Sequence, residues 1–122
     1  MVNKKAPVIL ASLLAMDGAW ILGFARSFYK KQLGHLMGET KYPPIVAFYL
    51  VYTYAILRLT EADSIEKAAL RGALLGAASY GAFNFTNHAI LKGWTTKMTL
   101  IDLCWGTGMT ATAAALANKF GS

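Results

Sequence analysis

The chain has 122 residues, of which 56% are hydrophobic and only 15% charged, with a formal net charge of +6. That length provides a single domain over residues 1–122, with no room for a second core. A charged fraction well below the roughly 25% of soluble domains argues against a water-soluble helical bundle, in which every helix needs a polar stripe, and the positive balance needs no nucleic-acid partner when basic residues flank apolar segments, since anionic lipid headgroups meet them.

The charges gather at Lys4–Lys5, Arg26–Lys41, Arg58–Arg71, Lys92–Lys97 and Lys119. Four largely apolar stretches lie between, and the helices expected on them span approximately residues 6–25, 42–59, 68–91 and 98–118, the second and third taking in Arg58 and Arg71 at their ends. Each comes close to the roughly 20 helical residues that cross a bilayer core of about 30 Å. The fold class is therefore all-α: a polytopic membrane protein with four transmembrane helices in a bundle, multi-pass in a bacterial inner membrane or a eukaryotic equivalent.

The first segment follows Lys4–Lys5 as a signal peptide would, but Asp17 stands where small residues should mark cleavage, so it is expected to remain as a helix. Between Arg26 and Lys41, Phe28, Tyr29, Leu33, Leu36 and Met37 alternate with Lys30, Lys31 and Gln32. That pattern predicts a short interfacial helix between the first two crossings. Pro43–Pro44 opens the second helix, where a missing N–H costs nothing, and Arg58 can snorkel from its far end. Ser64 can cap the third helix and Thr95 or Thr96 the fourth. Gly93 suits a helix C-cap, Trp94 an interfacial aromatic belt, and the lone Cys104 a small buried hydrophobe. Lys and Arg divide evenly, six at the N-terminal side and six at the other, so the positive-inside rule leaves orientation open and permits dual topology.

Two acids fall inside apolar spans, Asp17 in the first and Asp102 in the fourth, each followed three residues later by a tryptophan, Trp20 and Trp105. That spacing puts acid and ring on one helix face. The third helix adds Asn84, Asn87 and His88 on a shared face, and a rise of about 1.5 Å per residue brings Asp17, Asn87 and Asp102 to a similar depth. Tyr49, Tyr52 and Thr53 can reach the same interior. A carboxylate at membrane depth costs about 2.5–3.5 kcal/mol on insertion scales unless it is paired, protonated or hydrated. The cluster is either interhelical hydrogen-bond glue or a ligand-binding site formed by Asp17, Trp20, Asn84, Asn87, His88, Asp102 and Trp105. With only His35 as a second histidine, neither a metal site nor a cofactor is expected. Gly72, Gly76 and Gly106 are small-residue positions that let helices approach closely, within the chain or across a homodimer.

The segments Asp17–Gly18–Ala19–Trp20, Phe28–Tyr29, Leu33–Gly34, Phe48–Tyr49–Leu50–Val51–Tyr52, Thr86–Asn87, Leu91–Lys92–Gly93–Trp94 and Asp102–Leu103–Cys104–Trp105–Gly106 stand in the order of one family. The chain resembles the small, mostly bacterial membrane proteins grouped as domain of unknown function 2177, over about residues 8–115. The resemblance implies four helices and membrane residence, and brings no established activity. The family usually carries an acid where this chain has Asn84. Three functions fit: a protein that binds or transports a small solute, ion or lipid through Asp17 and Asp102; a structural subunit of a larger membrane complex; or a lipid-modifying enzyme with an aspartate as general base and Asn87 orienting the substrate. No nucleophile elbow, phosphate loop or metal motif is present, so an enzyme is the weaker reading.

Overall fold

In a computed structural model, residues 4–34 and 41–121 are described. They form helices α1 (Lys5–Trp20), α2 (Arg26–Leu33), α3 (Tyr42–Leu59), α4 (Ile65–Ile90) and α5 (Thr96–Phe120), with a π-helical turn over Ile21–Ala25 joining α1 to α2. The first helix thus runs on through the π turn as a single 27-residue rod, Lys5–Lys31. Where a separate interfacial helix was expected, α2 instead continues α1 as part of the same rod. His35, Leu36 and Met37 lie outside the described residues.

Among the described residues, three helices are long and apolar enough to cross a membrane: Lys5–Lys31, Tyr42–Leu59 and Thr96–Phe120. α4 is as long as α5, but Glu66, Lys67 and Arg71 open it and Asn84, Asn87 and His88 close it. The outer surface is that of a lipid-facing protein. Leu22 is 80% exposed, and Leu70, Leu74, Val51 and Ile90 are likewise turned outward, an apolar surface too extensive for water. On it, hydroxyls turn back onto their own helices. Ser12 donates to Val8 O, Thr107 to Leu103 O and Thr112 to Gly108 O, each at 2.7–2.8 Å, so these three donors are satisfied without water. Cys104, expected to be buried, is exposed on this surface, because the buried face of α5 runs through Asp102, Gly106 and Met109 instead.

The α4–α5 hairpin organises the bundle. Its turn is tight: Trp94 N donates to Leu91 O at 3.3 Å, and Gly93 adopts φ 91°. That is the position of a type II turn that demands positive φ, so Gly93 shapes the turn rather than the helix end. Ser64 Oγ caps α4 by accepting from Lys67 N, and Thr95 Oγ1 caps α5 by accepting from Met98 N. Trp94 folds inward, 8% exposed, donating to Thr99 Oγ1 at 3.1 Å and packing edge-on against Phe83. It locks the turn rather than extending outward as a belt residue.

From this turn the register follows. Going down α4 and up α5 in four-residue steps, Asn84 meets Asp102, Tyr80 meets Gly106, Gly76 meets Thr110 and Gly72 meets Ala114. A Cβ at Gly76 would lie 2.5 Å from Gly106 O and 2.9 Å from Thr110 Cβ, and one at Gly72 would lie 2.7 Å from Thr110 O. These glycines let two backbones touch, and α5 of the same chain fills the stripe that a homodimer would otherwise use.

The N-terminal end of the bundle is tied shut. Lys4 N donates to Gly121 O at 2.8 Å, Asn118 Nδ2 to Ala62 O at 2.9 Å, and Lys5 pairs with Glu61 at 3.8 Å. Ile9, Leu13, Ile56, Met109, Ala113 and Ala117 form an apolar core beneath that end. Towards the opposite end the interior becomes polar.

Candidate functional site

Asp17 extends the buried stripe Ile9–Leu13–Asp17 of α1. In a regular helix of 3.6 residues per turn that stripe would reach Phe24 seven residues on. Phe24 is exposed, and Ala25 is the buried residue instead. The π turn absorbs one residue, rotating everything beyond it. Tyr29, twelve residues after Asp17, would sit a third of a turn away along an α-helix; with one residue absorbed it falls on the same face. π turns of this kind recur at functional sites.

Asp17 is 8% exposed and accepts two hydrogen bonds, from Tyr49 Oη on α3 at 2.5 Å and from Trp105 Nε1 on α5 at 2.9 Å. Asp102, also 8% exposed, accepts from Asn84 Nδ2 at 2.6 Å. The second amide hydrogen of Asn84 goes to Tyr80 O at 2.8 Å, and its Oδ1 has no partner. Deeper, Tyr52 Oη and Thr110 Oγ1 lie 2.5 Å apart. Both carboxylates are therefore held by neutral donors, and among the described residues neither forms an ion pair.

The two acids open onto one cleft of about 640 Å³, lined by Trp20, Ala25, Arg26, Tyr29, Tyr42, Tyr80 and Trp105 among others. Trp20 and Trp105 stack at 4.6 Å with planes 8° apart, which fixes the wall between α1 and α5. Tyr80 and Asp102 also border a smaller gap between α3 and α4, shared with Phe48, Ser79 and Phe83.

A model described as predicted membrane protein (DUF2177) matches residues 5–118. The chain belongs to this family. No curated protein and no solved structure matches it. Membership of DUF2177 carries no activity, so the site must be read from its own geometry.

The structure brings together Asp17, Trp20, Asn84, Asp102 and Trp105, and leaves two other predicted site residues outside. Asn87 is half-buried beside the end of α4. His88 is exposed, with Nε2 3.5 Å from Thr96 Oγ1. Depth alone placed Asn87 in the layer of the acids. The hairpin register instead sets Asn84 against Asp102, and puts Asn87 one turn nearer the loop. The cleft residues missed were Arg26, Tyr29, Tyr42 and Tyr80. The signal for Tyr80 was present, since it lies four residues before Asn84 on the same face. For Tyr29 none was available without the π turn.

Proposed function

We propose that this DUF2177 protein binds a small organic cation, an ammonium or protonated amine, in the cleft between α1, α3 and α5, and carries it within or across the membrane. A single observation supports this most strongly: two carboxylates face one aromatic-walled cleft, and among the described residues neither forms an ion pair with a basic side chain. A cation that enters supplies the missing charge where separation from water makes Coulomb attraction strong. The rings of Trp20, Trp105, Tyr29, Tyr42 and Tyr80 are the walls expected of a cage for alkylated ammonium groups. Arg26 at the mouth favours a compact cation or a zwitterion over an extended polycation.

Choline and its neutral carbon analogue, 3,3-dimethyl-1-butanol, test the proposal on detergent-purified protein, with the fluorescence of the Trp20–Trp105 pair as readout. Choline should give a saturable change, with the neutral analogue at least about 10-fold weaker. Asp17→Asn and Asp102→Asn should each weaken choline by about 10-fold or more, the scale of one charge-assisted contact. Equal binding of the neutral analogue, or full affinity in both variants, overturns the proposal. Choline uptake into proteoliposomes then separates transport from binding alone.

A further inference from the structure

On the outer side of the Trp20–Trp105 wall, a second feature runs between the α1–α2 rod and α5. Near the loop end it is an open depression of about 840 Å³, lined by Phe24, Ser27, Phe28, Lys30, Lys31 and Lys97. Nearer mid-membrane, past the Trp20–Phe24 ring pair at 4.9 Å, lies an almost wholly apolar groove of about 490 Å³, lined by Trp20, Leu100, Ile101, Cys104 and Trp105. The two halves follow one another along α5 from Lys97 to Trp105, roughly 12 Å of helix rise. The upper half is basic: all three lysines are exposed, and among the described residues no carboxylate pairs with any of them. Lys97 Nζ lies 5.8 Å from the centre of the Phe28 ring, directing its charge over the depression.

We infer that this groove is a binding site for one anionic phospholipid. The phosphate and anionic headgroup sit among Lys30, Lys31, Lys97 and the Ser27 hydroxyl, and one acyl chain lies along Leu100, Ile101 and Cys104. Charge complementarity decides the occupant. A protein partner would need an acidic segment at the membrane surface joined to an apolar segment at acyl depth, whereas an anionic phospholipid has both parts in that order. Basic residues near a bilayer surface each favour anionic lipid by about a fivefold factor, so three acting on one headgroup produce retention that a scattered basic surface does not. The site is distinct from the acidic cleft and does not rest on the cation-binding reading.

The test is native mass spectrometry of the full chain released from detergent, titrated with phosphatidylglycerol or with phosphatidylcholine of identical chains. Phosphatidylglycerol should be retained as a single adduct and phosphatidylcholine much more weakly. The triple variant K30Q/K31Q/K97Q should lower phosphatidylglycerol affinity on the order of 100-fold, and K30R/K31R/K97R should keep it. Ile101→Trp, which fills the apolar half and leaves the lysines intact, should lower it as well. Inorganic phosphate at millimolar concentration should not displace the lipid. The inference is overturned if the triple glutamine variant or Ile101→Trp retains the lipid at the original level, if the arginine variant loses it, if phosphatidylcholine binds as well, or if free phosphate competes.

Discussion

Asn84 is 0% exposed, and both of its amide hydrogens are committed to acceptors. Its bond to Asp102 is a buried side-chain hydrogen bond between α4 and α5, and it lies next to the cleft. Replacing Asn84 by leucine, nearly the same shape, leaves the Asp102 carboxylate without its donor in a dry interior. An orphaned buried polar group costs about 1–3 kcal/mol, and more if charged, while replacing both partners by apolar groups of similar shape is close to neutral. Asn84→Leu should therefore destabilise the protein by at least that amount, and the double variant N84L/D102L should recover most of the loss. Denaturant unfolding in detergent micelles measures both. A double variant as unstable as the sum of the two single ones would mean that the pair does not act as a unit. Asp17 differs, because its two donors come from different helices. Asp17→Asn retains one acceptor oxygen for two donors, so about one interhelical bond is lost, worth roughly 0.6–2 kcal/mol in a membrane. The binding loss expected for the same variant must be read after correction for that stability loss.

At the scale of elements, two geometric devices place the site: the glycine-lined hairpin and the π turn. In the hairpin, Gly76→Ala puts a methyl group against backbone atoms 2.5–2.9 Å away, and overpacking of this kind costs about 1–3 kcal/mol. Gly108→Ala meets nothing within 4 Å. It should be neutral or stabilising by up to about 1 kcal/mol, since alanine is the better helix former. Thermal unfolding of the two variants side by side checks the contrast. The π turn makes a less obvious prediction. Deleting Gly23 removes the residue that the wide turn absorbs, so the rod should become regular α-helix with Asp17, Ala25 and Tyr29 still on one face. The deletion should leave the melting temperature and choline binding nearly unchanged, whereas deleting Leu14 from regular helix should abolish both. Failure of the Gly23 deletion alone would show that the wide turn itself, not the phase it sets, is needed. These devices also explain what could be read in advance. The apolar spans, the caps at Ser64 and Thr95, the glycine stripe and the paired acids are all written locally, in composition or in spacing of three and four residues. Tyr29 was not legible because a π turn has no signature in single-residue propensities. Asn87 was misplaced because depth was counted from an assumed surface, although the short Leu91–Thr95 connection already held the register that selects Asn84.

For the whole molecule, the ends differ in kind. One end is closed by the contacts among Lys4, Lys5, Glu61, Ala62, Asn118 and Gly121. The other carries Arg26, Lys30, Lys31 and Lys97 around the mouths of the cleft and the outer groove. α3 packs more loosely on α4 and α5 than those two helices pack on each other, so it is the element best able to move if the cleft admits a ligand. The long antiparallel contact between α4 and α5 also bears on how often the chain crosses the membrane. α5 is apolar enough to cross by itself, and α4, about 39 Å long, lies against it in a register fixed from Asn84–Asp102 to Gly72–Ala114. If α5 crosses, α4 must cross with it, although its hydropathy alone is too low to require that. The turn before α4 and the turn after it then lie on opposite faces of the membrane. A chain carrying Asp63→Cys and Lys92→Cys, with Cys104 replaced by alanine, tests this in sealed vesicles treated with a membrane-impermeant maleimide. Because Lys and Arg divide evenly between the ends, both orientations can coexist, yet each molecule should expose one of its two thiols in either orientation. One label per molecule is expected before detergent and two after it. Molecules carrying two labels, or none, in intact vesicles would place both turns on one side and exclude the four-crossing arrangement.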